Sequence, residues 1–346
     1  MSIDFKFKSS LEKVYIIAEI GVNHNGQLDL AKKMIIEAKN AGANAVKFQT
    51  YITEKLCNKS TPKVAYQINN EKSESHFEML KKLELSKNDH FHIKSFCDDN
   101  DITFLSTPYD LESAKFLNED LNVSLFKTAS ADIVDIPLQD YIASTQKPCF
   151  ISTGMSNISE IQTIYDIYKK SNNHHFAFLH CVSNYPCSLK SLNLKVISSL
   201  ANYFNVIVGF SDHSYGYEAS LASIALGAKI IEKHFTLDKS LKGPDHKASA
   251  DPKEFHELVE QIRKVETMLG DPYKKIQEEE NEMYKVSRKS LHLKSNIKMN
   301  QKIKEGDLFL QRPGDGLNYN FLKYLVGKQV KRDLNKGHKI NFEDIF

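Results

Sequence analysis

The sequence predicts a (β/α)8 barrel carrying a small β-rich module at its C-terminal end. Three observations lead there: eight β-branched or aliphatic runs spaced along the first 236 residues, amphipathic segments of helical period between them, and polar side chains gathered at the ends of the runs. The runs are VYIIAEIG (14–21), AVKFQT (45–50), TFLSTPY (103–109), SLFKTAS (124–130), PCFISTG (148–154), FAFLHCVSN (176–184), VIVGFSDH (206–213) and KIIEKHFT (229–236). Helical period is clearest in LDLAKKMIIEAKNAG (28–42), SEIQTIYDIYKKS (159–171), YEASLASIALGA (217–228) and PKEFHELVEQIRKVETMLG (252–270). No GxGxxG follows the first run, which removes the main signal of a doubly wound dinucleotide fold.

Domain limits follow from composition. Residues 1–270 hold the barrel, and 271–287, charged and opened by Pro272, read as a linker or exposed helix. Short strand and turn pieces fill 288–346, where IKEGD and LNKGHKI are related phrases. At 346 residues with 41% hydrophobic and 26% charged residues, the chain has ample material for a globular core. A net charge of +2 supplies no basic stripe for nucleic acid, so a small-molecule partner is expected. No apolar run reaches the roughly 20 residues of a membrane span. The N-terminal stretch lacks a signal-peptide core, and the five cysteines form no CxxC pair; both features point to the cytoplasm and to thiols acting as small buried hydrophobes.

The chemistry lies at the strand ends. Glu19, Lys47, Gln49, Lys127, His180, Asn184, Ser211, His213, Glu232 and His234 all fall at or near the C-terminal ends of the runs, the rim that bears active sites in barrels. Strand side chains alternate, so Lys47 and Gln49 share a face, as do Ser211 and His213, and Glu232 and His234. Buried ionic groups need partners or ligands, so such a shared inward face implies a ligand-filled pocket. His213 and His234, on adjacent strands, supply two nitrogens and leave open positions, an arrangement suited to Mn²⁺ or Mg²⁺ rather than to a closed zinc site. Lys47, Lys127, Thr107, Ser130, Ser152 and Ser211 combine two cations with four hydroxyls, a set suited to phosphate plus carboxylate.

The motifs IIAEIGVNHNG (16–26), AVKFQT (45–50), LSTPYD (105–110), ISTGM (151–155), GFSDHS (209–214), IEKHFTLD (231–238), GPDHKAS (243–249) and QRPGDG (311–316) closely resemble the sialic acid synthase family, in order and over nearly the whole chain. The resemblance implies a barrel with an antifreeze-like (SAF) C-terminal domain. It also implies a metal-dependent, domain-swapped homodimer that condenses phosphoenolpyruvate with an N-acylated hexosamine and releases phosphate by C–O cleavage. Residue by residue, it implies that His213 and His234 hold the metal. It places Lys47, Thr107, Lys127, Ser130, Ser152, Ser183 and Ser211 on phosphoenolpyruvate. Glu19, Gln49, Tyr185, Glu232 and Asp245 fall on the sugar or proton-transfer side, and Arg312 reaches the N-acyl group from the partner subunit. Asn184, beside Ser183, joins the expected substrate contacts. Glu19 and Glu232 are both candidates for the water proton.

Two departures from the family pattern stand out: KTASAD places Ala131 and Asp132 after the matched serine, and SNYP moves the asparagine one position beyond Ser183. N-acetylmannosamine, giving N-acetylneuraminate, is the expected sugar. The alternative is a 6-deoxy diacetamido hexose, giving legionaminate or pseudaminate, and NYPCS (184–188) and the 61–80 loop are where the difference would be read. Two other classes remain for comparison: an aldolase using Lys127 as a Schiff base, and a non-catalytic sugar- or ice-binding protein built on the C-terminal module.

Overall fold

A computed structural model describes residues 13–63 and 75–346. The chain divides after Gly270 into two compact units. In the first, strands β1 (Tyr15–Gly21), β2 (Ala45–Thr50), β3 (Thr103–Pro108), β4 (Phe126–Thr128), β5 (Cys149–Ser152), β6 (Phe176–Cys181), β7 (Ile207–Asp212) and β8 (Ile230–His234) form one sheet whose recorded ladders are all parallel, in the order β3-β2-β1-β8-β7-β6-β5-β4. That order is circular, and β3 and β4, its two ends, lie side by side, so the barrel is nearly closed.

Six of the strands, β3 to β8, end before their apolar runs do. Ser130 already lies in a 3₁₀ turn, Ser130–Val134, and Ser183 and His213 fall beyond the last ladder residues Cys181 and Asp212. Ladder hydrogen bonding stops where neighbouring strands diverge, a geometric event that apolar composition does not report.

The main helices are α1 (Leu28–Asn40), α2 (Thr53–Leu56), α3 (His76–Leu83), α4 (Lys87–Asp99), α5 (Leu111–Lys115), α6 (Ile136–Ser144), α7 (Ile158–Lys170), α8 (Lys195–Phe204), α9 (Glu218–Ala225) and α10 (Pro252–Leu269). Their apolar stripes cover outward strand residues such as Phe48, Phe126, Phe178 and Phe210, forming the larger core. Arg263 of α10 donates to the Val14 carbonyl at 3.1 Å and so ties the last helix to the start of β1.

Within the 61–80 segment, read from sequence as a loop, residues 76–80 begin α3; 64–74 lie outside the described residues. The helix start was visible as S-x-x-E: Ser75 Oγ accepts from Glu78 N at 3.2 Å while Glu78 Oε2 accepts from Ser75 N at 3.0 Å, a reciprocal capping box.

The second unit carries α11 (Asn281–Ser287), an exposed helix, then β9 (Ser290–Leu293) paired antiparallel with β10 (Leu308–Gln311). Isolated bridges at Ile297–Leu334 and Val330–Ile345 and a core including Leu291, Leu293, Ile303 and Ile340 complete it. Asp344 is buried there and receives Arg332 at 2.8 Å and His338 at 2.9 Å.

Candidate active site

Strand alternation builds the site as a polar layer on an apolar plug. The barrel interior is filled by Ile17, Ala45, Leu105, Leu125, Phe150, Leu179 and Ile230, with Tyr15 and Ala177. Two residues further along each strand, on the same face, stand Glu19, Lys47, Thr107, Lys127, Ser152, Cys181 and Glu232; Ser211 occupies the equivalent place on β7, two beyond Gly209. Each of these eight is buried. The plug shuts the floor, and the next layer carries the charges.

Those charges are cross-linked. Lys47 Nζ lies 2.7 Å from Glu19 Oε2 and 3.8 Å from Glu232 Oε2, and donates to Thr107 Oγ1 at 3.2 Å. Lys127 Nζ donates to Ser152 Oγ at 2.6 Å and to the Thr128 carbonyl at 2.9 Å, and lies 3.9 Å from Glu232 Oε1. Ser211 Oγ donates to Glu232 Oε1 at 2.8 Å. Two cations therefore face two carboxylates, and the carboxylates behave differently. Burial pushes Glu19 up to about 7 against the pull of Lys47, whereas for Glu232 the same burial is outweighed by Lys127, Lys47 and the Ser211 hydrogen bond, which hold it at about 2. Burial lowers the Lys127 ammonium, while Glu19 and Glu232 outweigh burial at Lys47 and raise it.

The histidines occupy the next level. His213 Nδ1 donates to the Val182 carbonyl at 2.8 Å, which leaves Nε2 with its lone pair 3.3 Å from Ser211 Oγ, whose own hydrogen goes to Glu232. Burial lowers His213 to about 4 and His234 well below its usual value, so both imidazoles are neutral near pH 7. Their ring centroids are 5.6 Å apart, and the Tyr185 ring covers both at 4.2 and 5.2 Å. His234 Nδ1 is buried without a hydrogen bond, 3.9 Å from Asp245 Oδ2. Among the described residues no cluster of three or more His, Cys, Asp or Glu is arranged to hold a metal. The donor set is thus two neutral imidazoles, which fits a divalent cation that takes its other ligands from water and substrate.

Behind the histidines sits a buried clamp. Asp212 and Lys233 alternate with the inward residues and point away from the pocket; Lys233 Nζ meets Asp212 Oδ2 at 3.0 Å and the Ser214 carbonyl at 2.8 Å, and Ser214 and Ser220 hydroxyls donate to Asp212 at 2.6 Å. Asp212→Ala is expected to lower unfolding stability by about 3–5 kcal/mol, because it strands a buried ammonium. Urea denaturation checks this, and a change below about 1 kcal/mol would show the pair to be dispensable.

Loops finish the cavity, about 440 Å³ in volume. Gly154 N donates to Ser130 Oγ at 3.0 Å, and a Cβ there would lie 2.4 Å from Ser183 Oγ and 2.9 Å from Cys181 Sγ, so any larger residue would displace these side chains. Asn23 anchors the opposite rim, donating to the Phe235 carbonyl and Ser249 Oγ at 2.9 Å each. Val22, Leu56, Met79, Leu80 and Leu83 form an apolar wall, with Thr61 and His76 among its neighbours.

The cavity brings together Glu19, Lys47, Gln49, Thr107 and Lys127 with Ser130, Ser152, Ser183, Tyr185 and Ser211, and with His213, Glu232, His234 and Asp245. Asn184 does not join them: it is exposed, its amide donating to the Pro186 carbonyl at 2.9 Å. His180 turns outward between Cys181 and Leu179, bonding the Leu192 carbonyl at 2.6 Å and stacking on Phe210, as alternation requires once Leu179 faces in. Arg312 is exposed just past β10 in the second unit, and the lining residues named above all belong to the first. Sequence reading passed over Tyr109 and Cys181, both in the lining. Parity with Ala177 and Leu179 was the available signal for Cys181.

The pattern of the NeuB family matches residues 34–274, which take in β2 through β8 and α10. The N,N'-diacetyllegionaminic acid synthase of Legionella pneumophila is 41% identical over 98% of this chain and 97% of that protein. The pseudaminic acid synthase of Campylobacter jejuni is 35% identical over 96% of this chain and 97% of that protein. The crystal structure of the N-acetylneuraminic acid (sialic acid) synthetase of Leptospira borgpetersenii, solved with citrate, superposes with a TM-score of 0.71 at 37% identity, covering 78% of this chain and 90% of that one. Sequence and fold agree over the region that builds the site, and the chain belongs to the NeuB family.

Proposed function

We propose that this chain condenses phosphoenolpyruvate with 2,4-diacetamido-2,4,6-trideoxymannose and water, giving a nine-carbon 2-keto acid of the legionaminate type and phosphate. The observation that carries this reading is a cavity with two unlike sides, a charged floor and an apolar wall. The floor suits the part common to all such reactions, and the wall suits a C6 methyl and a second acetamido group better than it suits hydroxyls. Similarity to a legionaminic acid synthase over nearly the full chain supports the same choice over N-acetylmannosamine.

In this reading Lys47 and Lys127 carry the phosphate and carboxylate charge, and the hydroxyls of Thr107, Ser130, Ser152 and Ser211 orient the oxygens. His213 and His234 would hold a divalent ion, Mn²⁺ or Mg²⁺, that supplies Lewis-acid polarisation of the sugar aldehyde. C3 of phosphoenolpyruvate attacks the aldehyde carbon of the open-chain sugar, whose oxygen takes a proton from the Glu19 carboxyl and becomes a hydroxyl. Glu232, ionised beside both lysines, stabilises the positive charge left at C2. Water adds there and loses a proton to Glu19, whose buried carboxyl is poised near neutrality. The C2 hydroxyl then passes its proton to the departing phosphate as the C2–O bond breaks, giving the ketone and phosphate.

Phosphate release measured with each purified sugar tests the choice: the diacetamido sugar is expected to give a kcat/KM at least about tenfold above N-acetylmannosamine, and the reverse ratio would return the assignment to N-acetylneuraminate.

The second unit is read as the antifreeze-like module, with Arg312 delivered to the partner's cavity in a homodimer. Arg312→Ala alone is then expected to be inactive and to recover partial activity when mixed with Lys47→Ala through hybrid dimers. Absence of rescue after verified subunit exchange would place the action of Arg312 within one chain. No helix among the described residues is long and apolar enough to cross a membrane.

A further inference from the structure

Helix α3 presents one stripe to the cavity. His76, Met79, Leu80 and Leu83 stand at positions i, i+3, i+4 and i+7, and all four line it. Three members are buried and apolar, as a stripe of this period should be. The first is a histidine whose Nδ1 is buried and makes no hydrogen bond among the described residues. The Ser75–Glu78 capping box fixes the turn that carries it, so His76 is held on a formed helix rather than on a free loop.

A polar atom left buried and unpaired costs stability. It is explained when a ligand supplies the partner. We propose that His76 is the specificity-determining residue for the second acetamido group of the sugar, pairing with the amide at C4. This rests on the diacetamido reading above.

The chemistry follows from where the substrate must lie. The aldehyde carbon has to reach the charged floor, so C4 and C6 extend away from it, and the apolar wall of Val22, Leu56, Met79, Leu80 and Leu83 is open to receive them. A C6 methyl needs nothing more there. An acetamido group brings one N–H and one carbonyl into apolar surroundings, and burying them unpaired is costly. A neutral imidazole offers one donor and one acceptor, which answers either half of the amide. Burial, with the Lys63 cation nearby, lowers His76 below its usual value and keeps it neutral at pH 7. Thr61, also in the lining, adds a hydroxyl.

The test measures phosphate release by wild type, His76→Ala and His76→Asn with two sugars: 2,4-diacetamido-2,4,6-trideoxymannose and 2-acetamido-2,4,6-trideoxymannose, which has only hydrogen at C4. His76→Ala is expected to lose about ten- to a hundredfold in kcat/KM with the first sugar, mainly through KM, and to be unchanged with the second. His76→Asn, which keeps a donor and an acceptor, is expected to retain most of the activity with the first. Equal losses on both sugars, or a loss under about tenfold on the first, would overturn the assignment. The second sugar also reports folding, since a collapsed α3 would depress both rates. The wild-type measurement separates the two levels: wild-type phosphate release from N-acetylmannosamine but not from the diacetamido sugar overturns the sugar reading itself, and His76 with it. A wild type that uses the diacetamido sugar while His76→Ala shows no selective loss overturns His76 alone.

Discussion

Lys127→Met is expected to reduce phosphate release by roughly a thousandfold or more, the largest effect of any single substitution at the site. The ammonium is buried, donates to Ser152 and the Thr128 carbonyl, and stands 3.9 Å from Glu232 Oε1. Methionine keeps the length and most of the volume of the side chain, so the plug beneath stays packed. Two things are lost together. The anionic substrate loses one of its two cations, and Glu232 loses the first of the charges that outweigh its burial, so its carboxyl rises toward the neutral form and stops countering positive charge at C2. Lys127→Arg is not expected to rescue, because the planar guanidinium replaces a point charge in a site shaped around Ser152. Retention of more than about a tenth of wild-type activity by a folded Lys127→Met would remove the lysine from the chemistry. The same residue discriminates against an aldolase: incubation with pyruvate and borohydride is expected to leave Lys127 unmodified, and a trapped adduct would make it a Schiff-base nucleophile.

Chelation is expected to have the second-largest effect. Excess EDTA should abolish activity, Mn²⁺ or Mg²⁺ should restore it, and His213→Ala should raise the Mn²⁺ concentration for half-maximal activity by more than the roughly 10–100-fold that loss of an outer-shell partner costs. The reason lies in the hydrogen-bond accounting. His213 spends Nδ1–H on Val182 and His234 is buried beside it, both neutral, so two nitrogen lone pairs are held at fixed positions with no proton to fill them. Among the described residues two imidazole nitrogens are offered, so the remaining positions on a bound ion would be taken by water and substrate, and the ion is expected to be exchangeable. Full activity in excess EDTA would dissociate the histidines from metal binding and leave them as neutral hydrogen-bonding groups.

Much of the fold was legible because it is local. Each of the eight runs became a strand, since β-branched runs between amphipathic segments have few alternatives. The polar layer was legible for the same reason: once Ile17 or Leu125 is assigned inward, period two places Glu19 and Lys127 inward as well. His180 was decidable by that logic, and Asn184 shows its limit. His180 lies on the opposite parity to Leu179, and Asn184 lies past the ladder, where period two no longer holds.

By itself, then, the sequence determined the barrel, the inward identity of Glu19, Lys47, Lys127, Ser211 and Glu232, and the pairing of His213 with His234, because side-chain alternation is a property of the backbone and needs no partner. Tertiary structure alone decided the rest. That burial pushes Glu19 up to about 7 against the pull of Lys47, while the same burial at Glu232 is outweighed by Lys127 and Lys47 to hold it at about 2, depends on neighbours from other strands, brought together by barrel closure and invisible in either strand's own residues. That the cavity has an apolar side depends on α3, a helix inserted between β2 and β3, turning Met79, Leu80 and Leu83 inward over Val22. A carboxylate's charge state and a pocket's polarity are set by what surrounds them through space, and proximity through space is what folding adds to the chain.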